Sequence, residues 1–256
     1  MNDAGVNNES MIQNNQRGVV YVATGENHLR AAIRSAQSVC KRCPDLLIHL
    51  FADAKPEKFM AGAPSPFHSC AGIENPHPRS KVDCLFHSPY DETLYLDADT
   101  EVVADIREVF ILLEKFDMAL AHHAIRNTPT FSWKRELPPS FPEFNSGVIL
   151  FRKNPGVIGL LQAWSQAYHE AGFGPDQITL RELLWESNLK LALLPPEYNT
   201  LMLKYPLIWR KGEAIPKIRH FRKYYEGRLW LLCGLSRALG RLRERMTGKA
   251  RFLVGE

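Results

Sequence analysis

No stretch of the 256-residue sequence is apolar for long enough to span a bilayer, and no segment repeats or is of low complexity, which argues against membrane-spanning and solenoid architectures. Cysteine is scarce: five residues, at 40, 43, 70, 84 and 233, an odd number without repeating spacing, so no disulfide framework is encoded. Cys40 and Cys43 form a C-x-x-C, but no second pair or histidine run completes a zinc site. The thiols are read as reduced, as in a cytosolic protein. A strong charge excess is missing too. The net charge is +4, while residues 228–256 alone carry seven basic and two acidic residues, so the rest of the chain is close to neutral. With no basic, aromatic-interleaved surface elsewhere, no nucleic-acid partner is expected. Met1 to Arg17 is polar and Asn-rich, lacks the apolar centre of a signal peptide, and is expected to be disordered.

The remainder alternates strand and helix. Val19 to Ala23 and Leu46 to Phe51 read as strands, and Leu29, Ile33, Ala36 and Cys40 recur at helical spacing between them. Strand, helix, strand in this length means a right-handed crossover and a parallel sheet. Residues 53–78, rich in Pro, Gly, His and Ala, read as a long loop, and Arg79 to His87 as helical. Ile106, Val109, Phe110 and Leu113 mark an amphipathic helix, followed by a strand over Met118 to Ala121. The proline-rich segment 122–143 reads as a functional loop. A strand over Gly147 to Phe151, helices from Val157 to Tyr168 and Asp176 to Glu186, and a strand over Leu191 to Leu194 complete the α/β pattern. The domain boundaries expected are 1–17, 18–226, and a basic amphipathic tail, 227–256, suited either to an anionic membrane surface or to docking on its own domain.

The chemistry centres on Leu94-Tyr95-Leu96-Asp97-Ala98-Asp99, a buried-looking strand ending in two carboxylates. Ligands of open α/β sheets bind at that end of the strands. With Ala98 turned away, both acids can face one hard cation, and Mn²⁺ or Mg²⁺ takes oxygen ligands of this kind. Two acids at a strand end are otherwise only solvated turn formers.

Together with its neighbours this motif resembles the nucleotide-sugar glycosyltransferases of the GT-A fold, and most closely the retaining branch that includes glycogenin and the bacterial lipopolysaccharide galactosyl- and glucosyltransferases. The resemblance runs in order from about residue 19 to 221. It implies a single GT-A domain with a mixed, mostly parallel sheet, in which Asp97 and Asp99 hold the metal and His220, in Ile218-Arg219-His220-Phe221, is the third ligand. It implies donor contacts at the turn Ala23-Thr24-Gly25-Glu26-Asn27-His28, at Lys81, at Ala98, and at Asn145, Ser146 and Gly147 of a Phe-Asn-Ser-Gly-Val stretch. Asn199, in Leu194-Pro195-Pro196-Glu197-Tyr198-Asn199, joins them, and Asp176 and Gln177 match the pair beside the reacting sugar. The family commonly follows its His-Phe with a glycine and a Lys-Pro-Trp that grips the diphosphate. Here Arg222 and Lys223 follow instead and are the expected replacements.

The resemblance thus implies a cytoplasmic, metal-dependent enzyme that moves a hexose from a UDP-sugar to a glycan or lipid-linked acceptor with retention, with peripheral membrane contact if the tail lies on lipid. Two rivals stand beside it. A phosphatase of the haloacid-dehalogenase type also uses Asp-x-Asp, but on its first strand. A catalytically silent nucleotide- or glycan-binding module would keep the residues without turnover.

Overall fold

In a computed structural model of the chain, which describes residues 16–124, 132–172, 176–201, 209 and 214–220, nine strands and four α-helices are defined. In order they are β1 (Arg17–Ala23), α1 (Glu26–Arg42), β2 (Leu47–Ala52), β3 (Ser69–Gly72), α2 (Lys81–Cys84), β4 (Glu92–Leu96), β5 (Thr100–Val102), β6 (Met118–His122), β7 (Phe144–Arg152), α3 (Pro155–Ala171), α4 (Gln177–Glu186), β8 (Leu191–Leu193) and β9 (Ile218–His220). Arg222, Lys223 and the tail 227–256 lie outside the described residues. No helix among the described residues is long and apolar enough to cross a membrane.

Seven strands form one sheet in the order β3-β2-β1-β4-β7-β6-β8. Only β7 runs against the others, pairing antiparallel with β4 on one side and β6 on the other. Period-two alternation divides the side chains between two cores. Val19, Tyr21, Leu94 and Leu96 face α1 and the 3-10 turns of Arg107–Glu114. Val20, Tyr95, Leu120, Ile149 and Phe151 face α3 and α4, against Leu161, Trp164 and Leu180. Central strands covered on both faces explain the unbroken apolar run of β4, and each such side chain stabilises the fold by about 2 kcal/mol.

The structure revises three readings. Arg17 opens β1 rather than ending a polar leader. Residues 53–78 contain an edge strand, β3, parallel to β2 from His49↔Ser69 to Ala52↔Gly72. The segment after Ile106 winds as a 3-10 helix, with Val109, Phe110 and Leu113 still on its buried side.

Two irregularities aim residues at the carboxyl ends of the parallel strands. Leu120 pairs with Ile149 but Ala121 pairs with Asn145, so Ser146, Gly147 and Val148 bulge out of the β6 ladder towards β4. Separately, β5 and β9 form a two-stranded antiparallel sheet that sets Thr100 opposite His220.

α3 starts at a well-formed cap: the Asn154 side chain accepts from the Val157 backbone N–H at 2.9 Å and Pro155 occupies the first turn. Replacing Asn154 by Ala is expected to destabilise the protein by about 1 kcal/mol. The urea midpoint should fall with an unchanged slope; an unshifted midpoint would remove the cap from the account.

Candidate active site

The end of β4, the β7 bulge, the start of α4 and β9 meet around one buried ammonium. Lys81, at the start of α2, is 4% exposed. Its Nζ donates to the backbone oxygen and the Oγ of Ser146, both at 2.9 Å, and to Asp97 Oδ1 at 3.2 Å. Asp176 Oδ2 lies 3.3 Å from it and accepts a 2.7 Å bond from Ser146 Oγ. Burial works against the charged form of Lys81, but Asp176 and Asp97 outweigh it and raise its pKa, which favours the ammonium.

Asp97, Asp99 and His220 offer ligand atoms that all lie within 4.8 Å of one another. His220 Nε2 is 3.1 Å from Asp99 Oδ1 and 3.6 Å from Asp97 Oδ2. The tautomer of His220 follows from its neighbours. Gly147 donates its backbone N–H to Asn145 Oδ1 at 2.9 Å, and Asn199 Nδ2 donates to the same oxygen at 2.8 Å. Asn199 Oδ1 must then accept from His220 Nδ1, 2.8 Å away. In the neutral ring that leaves the Nε2 lone pair turned to the two carboxylates, the arrangement a metal-ligating histidine adopts. Two oxygens and one imidazole nitrogen fit Mn²⁺ or Mg²⁺. Without a cation, burial disfavours the imidazolium but the carboxylates outweigh it, raising the pKa of His220, while His220 in turn overcomes burial to lower that of Asp99.

Gly147 has a steric reason. A Cβ there would stand 2.2 Å from His220 Cε1 and 2.7 Å from Asp97 Oδ2. Ala98, between the acids, turns into the core.

Of the residues singled out from sequence, Lys81, Asp97, Asp99, Asn145, Ser146, Gly147, Asp176, Asn199 and His220 form this one network. Ala23 ends β1, Thr24 and Gly25 form the turn after it, and Asn27 and His28 lie in the first turn of α1. Gly25, at φ 78°, donates its N–H to Asp53 Oδ2 at 2.8 Å, and Thr24 Oγ1 donates to the His77 backbone oxygen at 3.3 Å. Gln177 is half-buried at the head of α4. Asp176 is 1% exposed, its carboxylate shared by Ser146, Lys81 and, at 3.5 Å, Arg79 Nε. It therefore acts as a buried counter-charge, not as an acid lying open beside a ligand.

Sequence reading missed Tyr95, Arg79 and Trp164. The Tyr95 hydroxyl donates to Asp97 Oδ1 at 2.5 Å, and burial together with the Asp97 charge keeps the phenol protonated. The Trp164 indole N–H donates to the Asp176 backbone oxygen at 2.9 Å. Tyr95 was detectable, because residues two apart on a strand share a face.

Gly147→Ala is expected to weaken Mn²⁺ binding by about a hundredfold, measured by calorimetric titration, with the far-ultraviolet circular dichroism retained; wild-type affinity in this variant would refute the packing argument. Lys81→Met should cost about 3 to 5 kcal/mol in chemical denaturation by stranding Asp176. Adding Asp176→Asn should restore part of that loss, whereas simple additivity of the two would contradict the pairing.

By sequence, no family model matches the chain and no curated protein aligns with it significantly. Solved structures do match. Galactosyltransferase LgtC, crystallised in complex with donor and acceptor sugar analogs, superposes with a TM-score of 0.57 at 14% identity, over 80% of this chain and 87% of that one. The apo-form glycosyltransferase GlyE of Streptococcus pneumoniae TIGR4 superposes with a TM-score of 0.58 at 21% identity, over 80% of this chain and 54% of that one. With the mixed seven-stranded sheet and its single reversed strand, these likenesses identify the architecture of the chain as the GT-A glycosyltransferase fold.

Proposed function

We propose that the protein is a metal-dependent glycosyltransferase that moves a hexose from a UDP-sugar to a glycan or lipid-linked acceptor, with retention of configuration. The observation that carries this reading is the convergence of Asp97, Asp99 and His220 Nε2 beside a buried lysine. A divalent cation bound there supplies a Lewis acid for the charge that gathers on the β-phosphate as UDP leaves. Lys81 adds a fixed positive charge that needs no reorganisation as that charge develops. Ala23, Thr24, Gly25, Asn27 and His28 hold the nucleoside, while the buried Asn145 and Asn199 set His220 and the buried Ser146 sets Lys81 behind the diphosphate and sugar. Asp176 positions Lys81 and Ser146, which leaves the half-exposed Gln177 as the polar group at the head of α4 able to meet a sugar. Arg222 and Lys223 assist at the diphosphate.

A phosphatase mechanism fits less well. Its nucleophile would be Asp97, whose Oδ1 already accepts from both Tyr95 and Lys81, and the motif stands on β4 rather than on the first strand. Such hydrogen bonds stabilise the carboxylate and blunt its nucleophilicity.

A panel of UDP-, GDP- and ADP-sugars with Mn²⁺, scored by nucleoside diphosphate release, tests the reading. UDP release that stops on chelation is expected. Asp97→Asn and Asp99→Asn should each lower it by about a hundredfold or more with a nearly unchanged melting temperature. Full activity in either variant, or hydrolysis of p-nitrophenyl phosphate in place of UDP release, would end the proposal.

A further inference from the structure

Two clusters among the described residues have the composition of a metal site, and they are held in opposite ways. In the second, His77, Asp83 and His169, the ligand atoms also lie within 4.8 Å of one another, but there the groups bond each other. His77 Nδ1 accepts the Arg79 backbone N–H at 3.2 Å, so the ring proton of neutral His77 sits on Nε2 and is donated to Asp83 Oδ2 at 2.6 Å. Asp83 also accepts from Ser165 Oγ at 2.5 Å and is bonded to His169 Nε2 at 2.9 Å. This cluster ties the 77–81 turn to α3.

Around Asp97 and Asp99 the constraint comes from outside the cluster. Asp97 to Thr100 form a β-turn, closed by the Thr100 backbone N–H on the Asp97 carbonyl oxygen at 3.1 Å. The Thr100 hydroxyl donates to the same oxygen at 2.8 Å, so both lone pairs of that carbonyl are taken. A turn closed twice at one atom fixes the peptide planes of Ala98 and Asp99, and with them the directions in which the two carboxylates leave the backbone. Thr100 is also the residue opposite His220 in the β5–β9 ribbon. One residue thus borders all three candidate ligands.

The Thr100 hydroxyl is itself set by a chain of buried hydroxyls. Its proton is committed to Asp97, so its oxygen accepts from Ser35 Oγ of α1, 2.8 Å away. The Ser35 proton is then committed too, and Ser35 accepts from the Tyr21 hydroxyl of β1 at 2.8 Å. Burial pushes the Tyr21 phenol well above its ordinary range, which keeps it a donor. All three side chains are buried. At the next position along α1, Ser38 Oγ accepts the Val102 backbone N–H at 2.9 Å and donates to the Ser35 backbone oxygen at 2.6 Å. α1 therefore grips β5 at both ends. Packing alone gives no reason for the chain, because apolar groups of the same shape would fill the space without buried O–H groups to satisfy.

We infer that Thr100 is a positioning residue of the metal site: its hydroxyl sets the Asp97–Asp99 turn for a divalent cation, and Ser35 and Tyr21 orient that hydroxyl. The inference rests on the metal-dependent reading above and is tested on Mn²⁺ binding rather than on turnover. Mn²⁺ affinity by calorimetric titration and the urea midpoint of the metal-free protein are measured for the wild type, Thr100→Val, Thr100→Ser, Ser35→Ala and the double variant Ser35→Ala/Thr100→Val. Asn154→Ala serves as a control destabilised away from the site. Thr100→Val is expected to bind Mn²⁺ about tenfold or more weakly, and Thr100→Ser, which keeps the hydroxyl, to bind as the wild type does. Ser35→Ala should bind more weakly than the wild type, and the double variant no more weakly than Thr100→Val, because both changes break one chain. Asn154→Ala should lose stability at unchanged Mn²⁺ affinity. Wild-type affinity in Thr100→Val, an equal loss in Thr100→Ser or Asn154→Ala, or additive losses in the double variant overturns the inference. Should Thr100→Val fail to fold, wild-type affinity in Ser35→Ala overturns it. A wild type that binds no Mn²⁺ overturns the metal reading and this inference with it, whereas binding that none of the site variants weakens overturns the inference alone.

Discussion

The burial of one ammonium group is the constraint from which the rest of this site follows. Placing Lys81 at 4% exposure costs several kcal/mol of lost hydration, and only full coordination of its protons offsets that. The acceptors come from β4, from the bulge of β7 and from the residue that starts α4, so the lysine joins segments that the chain order keeps apart. The bulge is part of the same solution: an unbroken β6–β7 ladder would leave no displaced Ser146 to meet the lysine. Fold and site are thus coupled through a single charge.

The two histidine clusters illustrate how hydrogen bonds, rather than composition, decide chemistry. Each pairs imidazole with carboxylate over similar distances. At His220 a relay beginning at the Gly147 backbone N–H fixes the proton on the ring nitrogen turned away from the acids, freeing the other for a cation. At His77 a backbone N–H fixes it on the nitrogen turned towards the acid, which makes a strut. A search by residue type alone would class them together.

Much of this was legible in the sequence. Apolar runs located the central strands, because strands covered on both faces must be apolar throughout, and Asp97 and Asp99 stood out by ending one of them. Strand β3 was not legible: Ser69-Cys70-Ala71-Gly72 has no β-branched residue and is largely exposed, so pairing with β2 rather than its own propensity makes it a strand. The periodicity of 106–113 correctly marked a buried side but could not separate α from 3-10 winding, since both bring residues three apart together. The contact of Asp83 with His169 spans 86 positions, and that of Arg79 with Asp176 nearly a hundred; no local pattern encodes either.

The small β5–β9 sheet has a kinetic consequence. Asp97 and Asp99 extend from the seven-stranded sheet, whereas His220 is carried by a two-stranded ribbon of three residue pairs, bonded on its other side to Glu197 and Thr200. Two-stranded ribbons open at far lower free energy than a central sheet. The imidazole can therefore come away by local fraying while both acids stay in position, so exchange of an ion, if one is held there as proposed, would be timed by this ribbon and not by global unfolding. Amide protons of residues 218–220 would then exchange with deuterium well before those of 94–96.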